Sequence, residues 1–215
     1  RALDDLVNAA EQAIADQATL IVLSDRNISP TQAPIPSLLA TAAVHQGLRR
    51  RQLRSQVGSI VESGEPREVM HFCMLCGYGA SAITPYLAFS VVHKLHSDGE
   101  LPQDVTVDQL TDQYITAVKK GILKTISKMG ISTLRSYQFA QHFEAIGLER
   151  SVIDQFFTGT PSRIAGTGLG VIAREALIAM RPPSPKANRE PSSLSLAANM
   201  PFATTAKSIS GIPRQ

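Results

Sequence analysis

The stretch Ala18-Thr19-Leu20-Ile21-Val22-Leu23-Ser24-Asp25 sets the fold class. Its centre is a short, continuous apolar run without the alternation of a strand that keeps one face in water. Such a run reads as a strand buried on both faces, as in a parallel sheet covered by helices. Upstream, Leu3, Leu6, Val7, Ala10 and Ile14 recur at helical spacing and predict a helix over residues 3–15. Downstream, Pro30, Pro34 and Pro36 punctuate a loop, a helix is expected over 37–53, and Val57-Gly58-Ser59-Ile60-Val61-Glu62 supplies a second strand. Ser63-Gly64-Glu65-Pro66 reads as a turn that places Pro66 at the first position of a helix over 67–76. Gly77-Tyr78-Gly79 breaks that helix, and 80–83 forms a short third strand before Pro85. Strands in series, each followed by a helix, imply parallel order with right-handed crossovers. The class is therefore α/β, built of parallel βα units in a partial barrel-like or doubly wound sheet.

From about Leu101 the pattern is helical only. Leu110, Tyr114, Val118, Ile122 and Ile126 form an apolar stripe over 107–127, with Lys119, Lys120 and Lys124 off it. Ser132 is expected to cap a helix through Ile146, ended by Gly147. Ser151 and Asp154 resemble a capping box for a short helix over 152–157, and a last helix is expected over 171–180. The organisation expected is an α/β unit over 1–97, an all-helical connector over 98–180, and a tail over 181–215. That tail holds six of the 13 prolines and six serines without an apolar period, so it is expected to be disordered.

At 215 residues with 43% hydrophobic content, the chain can bury a sizeable core. No apolar run reaches the roughly 20 positions of a spanning helix, and the N-terminus has no basic-then-apolar signal, so a soluble protein without a membrane partner is expected. The chain begins without methionine and already inside an amphipathic pattern, as an internal segment, a cloning boundary or processing would each produce. The net charge of +3 suggests a nucleic-acid partner until it is located: from Arg181 onward, five basic residues stand against Glu190 alone, and the body is close to neutral.

Several constellations have both a functional and a plain structural reading. Cys73 and Cys76 form C-x-x-C, a redox pair or half a zinc site, but no second pair completes four ligands. Their apolar surroundings favour buried structural cysteines in a reducing compartment. Gly77-Tyr-Gly79-Ala-Ser-Ala82 fits a dinucleotide fingerprint, yet it follows a helix and precedes a strand, the reverse of what that fingerprint requires. Gly166-Thr-Gly168-Leu-Gly170 could cradle a phosphate, though a flexible linker is favoured because the Lys-Ser or Lys-Thr of a P-loop is missing. Residues 119–143 have the outline of a helix-turn-helix, but the second helix offers only Arg135 and His142 against Glu144, so no nucleic-acid partner is expected. His93 and His96 at i, i+3 have no acidic neighbour on the same turn to share a metal. The best candidate site loops are Ser24-Asp25-Arg26 and 62–68, because α/β folds bind ligands beyond the carboxyl ends of their strands.

These stretches also resemble a family. Ile21-Val-Leu-Ser-Asp-Arg26, Pro34-Ile-Pro-Ser-Leu-Leu39, Val61-Glu-Ser-Gly-Glu-Pro-Arg-Glu68 and Gly77-Tyr-Gly-Ala80 through Pro85-Tyr-Leu87 are similar to the central domain of glutamate synthase. Lys120-Gly-Ile-Leu-Lys124, Ser127-Lys-Met-Gly-Ile-Ser132, Ser136-Tyr137, Phe143-Glu-Ala145, Gly159-Thr160 and Ser162-Arg163 resemble its connection into the FMN-binding synthase domain. The resemblance runs in order to about residue 180, and Phe139 stands where the family's pattern has a glycine. It implies a cytoplasmic or plastid enzyme of nitrogen assimilation with glutaminase and FMN-barrel domains, fed with electrons through iron-sulfur centres from ferredoxin or an NADPH-dependent small subunit. Its cysteine nucleophile, flavin and cluster ligands are implied to lie outside this segment. No residue here therefore carries a catalytic, cofactor or metal assignment, and the segment is expected to be a structural, tunnel-forming piece, inactive alone. The alternatives are a stand-alone α/β module that binds a small anion at the strand-end loops, and a helix-turn-helix DNA-binding protein.

Overall fold

The computed structural model describes residues 1–29, 32–140, 142–180 and 205–209. Helix α1 (Ala2–Ala15) buries Leu6, Val7, Ala10, Ala13 and Ile14 and carries Asp4 and Asp5 in its first turn, where acidic groups suit the helix dipole. Strand β1 (Leu20–Ser24) follows, and its Ile21 and Leu23 are almost fully buried. Helix α2 (Ser37–Arg50) is buried along most of its length and packs on α1. Gly47 permits that approach: a Cβ there would run into the side chain of Val7. Strand β2 (Gly58–Glu62), helix α3 (Val69–Gly77), strand β3 (Ala82–Thr84) and helix α4 (Tyr86–Ser97) complete the alternation. β1 pairs with β2, and β2 with β3, both in parallel. The sheet is open, in the order β3-β2-β1-β6, so the barrel-like alternative does not hold.

Pro66 is not the first helical residue. α3 starts later, at Val69, because the His71 ring closes its first turn: His71 Nδ1 accepts from the backbone N–H groups of Arg67 (3.2 Å) and Glu68 (3.3 Å).

Helix α5 (Val107–Lys128) opens on a capping box in which Thr106 and Gln109 satisfy each other's backbone N–H groups. Its stripe is half-buried, with Ile126 fully so, and its lysines face water. The expected helix from Ser132 to Ile146 shrinks to α6 (Leu134–Tyr137), capped by Thr133. The helix ends where Gln138 turns extended (φ −59°, ψ 125°), and Phe139 next to it, with φ of 69° in the left-handed region, keeps it from resuming.

The segment from 98 to 180 is not all-helical either. β4 (Ile146–Leu148) and β5 (Ile164–Thr167) form a second, two-stranded parallel ladder, separated by α7 (Arg150–Phe156) and followed by α8 (Leu169–Ala179). Ser151 lies within α7, whose N-cap is Glu149, so the expected capping box is absent. The expectation of a disordered tail falls outside the described residues except at 205–209. There the backbone forms β6 (Thr205–Ile209), antiparallel to β1.

The main core joins α1, β1, α2 and α7, with Tyr78 among them. A second cluster, Cys73, Cys76, Ile126 and Tyr137, sits between α3, α5 and α6. Phe143 touches both.

Candidate functional site

The strand-end loops singled out from sequence do converge. Asp25, 4% exposed, follows β1, and its Oδ2 accepts from Ser63 Oγ (2.6 Å) and the Gly64 N–H (3.1 Å) in the turn after β2. Ser24 Oγ donates to Glu62 Oε2 (2.6 Å), and Arg26 Nε pairs with Glu62 Oε1 (2.6 Å). The Arg26 guanidinium lies 4.2 Å over the Tyr86 ring, at the start of α4. Burial, a hydrogen bond to Asp25 and the Asp25 charge push the Tyr86 hydroxyl up to about 12, so it is a neutral donor at physiological pH.

Glu65 reaches across to α2. Its Oε2 accepts from the backbone N–H of Ser37 (2.8 Å) and from Ser37 Oγ (2.5 Å), which supplies the cap that Pro36 cannot. Sequence reasoning missed Ser37 and Tyr86 as members of this network, since neither lies after a strand end within the two loops.

The network closes on itself. Asp25, Glu62 and Glu65 all accept hydrogen bonds from side chains or backbone of the same body. The cavity beside them, between Leu23, Ile35, Ala40 and Val61, measures about 10 Å³, room for about one water. These residues can lock β1, β2, α2 and α4 together, and the described cavity between them is too small for more than about one water.

A roomier site lies elsewhere. His45, Gln46, Arg49, Gly77, Tyr78 and Phe139 line a cavity of about 240 Å³. His45 stacks on Phe139 with ring centres 4.0 Å apart and 10° between planes, and its Nδ1 accepts from Arg54 Nε (3.2 Å). The ring proton of neutral His45 therefore sits on Nε2. Burial, then the charges of Arg54 and Arg49, lower its pKa to about 4. Arg54 also donates to the carbonyls of Val57 (2.6 Å) and Gly79 (2.9 Å). Nothing in the sequence joins residues 45, 54 and 139. The one local sign is Phe139 in place of a glycine, and a φ of 69° is where a glycine sits without strain.

The remaining motifs resolve into packing. Gly77 ends α3 and Gly79 precedes β3, so the fingerprint order is reversed; a Cβ on Gly77 would stand 2.5 Å from the Phe143 ring. The reading of 166–170 as a flexible linker is corrected. Gly166 belongs to β5, where a Cβ would stand 2.6 Å from the Gly147 carbonyl of β4, and Gly168 N-caps α8. The Glu149 carboxylate lies against Gly168, so a negative group already occupies that helix end. Cys73 and Cys76 are free and buried in α3; burial and the neighbouring Cys73 push the Cys76 thiol up to about 11. α6 spans four residues, too few to lie along a DNA groove as a reading helix. His96 Nε2 meets the Val105 carbonyl (3.1 Å), and among the described residues no three His, Cys, Asp or Glu side chains converge as metal ligands.

Residues 1–149, which hold both the closed network and the cationic cavity, match the family model described as the glutamate synthase central domain. The chain belongs to the glutamate synthase family. It is 47% identical over 176 residues to the glutamate synthase [NADPH] large chain of Bacillus subtilis, an alignment covering 82% of this chain and 11% of that protein. It is 41% identical over 181 residues to the glutamate synthase [NADH] of Saccharomyces cerevisiae, covering 81% of the chain and 8% of that protein. A ferredoxin-dependent glutamate synthase of Arabidopsis thaliana is 40% identical over 188 residues, covering 82% and 12%. The chain thus spans about a tenth of the length of these relatives. In this glutamate synthase segment, the strand-end network is a joint within the central-domain fold, and the matched region contains β1, β2 and β3 but not β6.

Proposed function

We propose that this chain is a segment of a glutamate synthase and that its own contribution is structural, as a spacer and tunnel wall. The parent reaction makes two L-glutamate from L-glutamine and 2-oxoglutarate: ammonia released from glutamine passes through the protein, and the imine it forms is reduced at FMN. The segment's neighbours are then the glutaminase and FMN-barrel domains, with ferredoxin or an NADPH-dependent subunit as electron source, in the cytoplasm or a plastid. The observation that carries this reading is the 47% identity to a glutamate synthase large chain of which the segment covers 11%. The closed strand-end network agrees with a structural role, since every carboxylate in it is engaged in holding elements together.

The donor set of this chain does not fit an iron-sulfur centre, which takes about four cysteine thiolates. The sequence has two cysteines, both buried within one helix. The clusters are therefore assigned to other parts of the parent, and FMN to the barrel domain that the family implies. The full chain, incubated with FMN, L-glutamine, 2-oxoglutarate and a reductant, is expected to stay colourless after gel filtration and to form no glutamate. Stoichiometric yellow flavin on the protein, or glutamate production, would overturn the structural reading.

The cavity at His45, with Arg49 and Arg54 beside it, favours a second reading as a small-anion module. Thermal-shift measurement with phosphate, nucleotides and keto acids separates the two. A ligand at a hundred times its dissociation constant adds about 2.7 kcal/mol of stability, and no shift with any of them removes the second reading.

A further inference from the structure

β1 lies inside the sheet, with β2 on one edge and β6 on the other. Ile21, Leu23 and Ser24 of this strand are at most 2% exposed, so it sits at the centre of the main core. Without a neighbour on the second edge, a row of backbone N–H and C=O groups there would lack partners, and such an edge readily pairs with another strand. The occupant of that edge lies outside the residues that the family model matches. β1, β2 and β3 lie inside the family-matched 1–149, whereas β6 lies at 205–209, beyond residues 181–204. It runs antiparallel in an otherwise parallel sheet, and its ladder covers all five residues of β1, from Leu20 opposite Ile209 to Ser24 opposite Thr205. α1 lies against it as well. Antiparallel pairing requires no crossover helix, so the edge can be filled by any extended segment of matching length.

We propose that the outer edge of β1 is a strand-accepting surface. It takes an extended peptide antiparallel, chiefly through main-chain hydrogen bonds, and β6 is its tethered and exchangeable occupant. This is strand addition to a sheet edge, with affinity from the ladder. It does not depend on the tunnel-wall reading. Tethering gives β6 an effective concentration on the order of millimolar, so a free peptide competes only when β6 is disabled.

The test uses the full chain and a synthetic peptide with the sequence of residues 203–211. Alternate residues of an antiparallel strand point their N–H groups at the neighbour, so the adjacent pair Ala206→Pro and Lys207→Pro removes at least one ladder donor whichever register positions donate. In this double variant, the β1 amides facing β6 are expected to exchange hydrogen at least tenfold faster than in the unmodified chain. Millimolar peptide is expected to return them towards the original rate. Unchanged exchange at residues 20–24, or opening that the peptide does not reverse, overturns the proposal. A double variant that fails to fold, as judged by amide exchange across α2, passes the decision to the unmodified chain. There, exchange at 205–209 at least tenfold faster than at 58–62 supports an exchangeable strand, and equal protection of the two overturns it.

Discussion

Burial and the guanidinium groups of Arg54 and Arg49 hold His45 neutral down to about pH 4, against an ordinary value of 6.5. In the unfolded chain the same ring takes up a proton near pH 6.5. Between those values the unfolded state binds one more proton, so stability present above pH 6.5 is lost as pH falls towards 4, by about 2–3 kcal/mol from this residue. His45→Gln is expected to flatten that limb of a urea-derived stability profile. Beside it, Phe139 sets two effects of similar size against each other. Its left-handed φ costs a non-glycine residue about 1–2 kcal/mol, while the stack on His45 contributes about 0.5–1.5. Phe139→Gly is therefore expected to lie within about 1 kcal/mol of the original. Phe139→Ala keeps the strain without the ring, and is expected to be less stable than the glycine variant by about 1 kcal/mol, the reverse of the usual loop ranking. At the other site, Asp25→Ala leaves Ser63 Oγ and the Gly64 N–H without their acceptor and is expected to lower stability by about 2–4 kcal/mol. Asp25 could be found from sequence because a strand end announces it. The His45 cluster could not, because its members come from α2, a short turn and an irregular loop that meet only in three dimensions.

Elements with one strong periodic signal were legible: α1, β1, β2 and α5 lie within a few residues of where their patterns put them. The misplaced ones failed where a contact outside the window decides. α3 starts late because His71 folds back on its own first turn, and α6 stops where Gln138 turns extended, just before the left-handed Phe139. β4 and β5 were unreadable for a related reason. Three or four residues containing a glycine carry no period, and Gly166 earns its place only through the carbonyl of Gly147 opposite. Helix packing gives the prediction at this scale. Alanine is a better helix former than glycine by about 1 kcal/mol, but at position 47 the added methyl collides with Val7 and must push α2 off α1. Gly47→Ala is expected to destabilise by about 1–3 kcal/mol in chemical denaturation; a gain in stability would show that the two helices have slack between them.

Across the whole molecule, two apolar clusters meet at Phe143, which packs on the sheet core and on the Cys73–Tyr137 cluster and lies 5.6 Å, centre to centre, from the Tyr78 ring. Truncation there removes the shared side chain. Phe143→Ala is expected to cost about 2–4 kcal/mol and to separate the loss of α5 protection from that of α2 in denaturant-dependent hydrogen exchange. A single coincident transition would mean that the clusters are coupled by other contacts. The place of β6 in the chain has a consequence for how the sheet is assembled. At roughly 5–20 residues per second of synthesis, Thr205 leaves the ribosome about 10–40 s after Ser24, its ladder partner. Among the described residues, the β1–β6 ladder is therefore the last strand pairing to become available during synthesis.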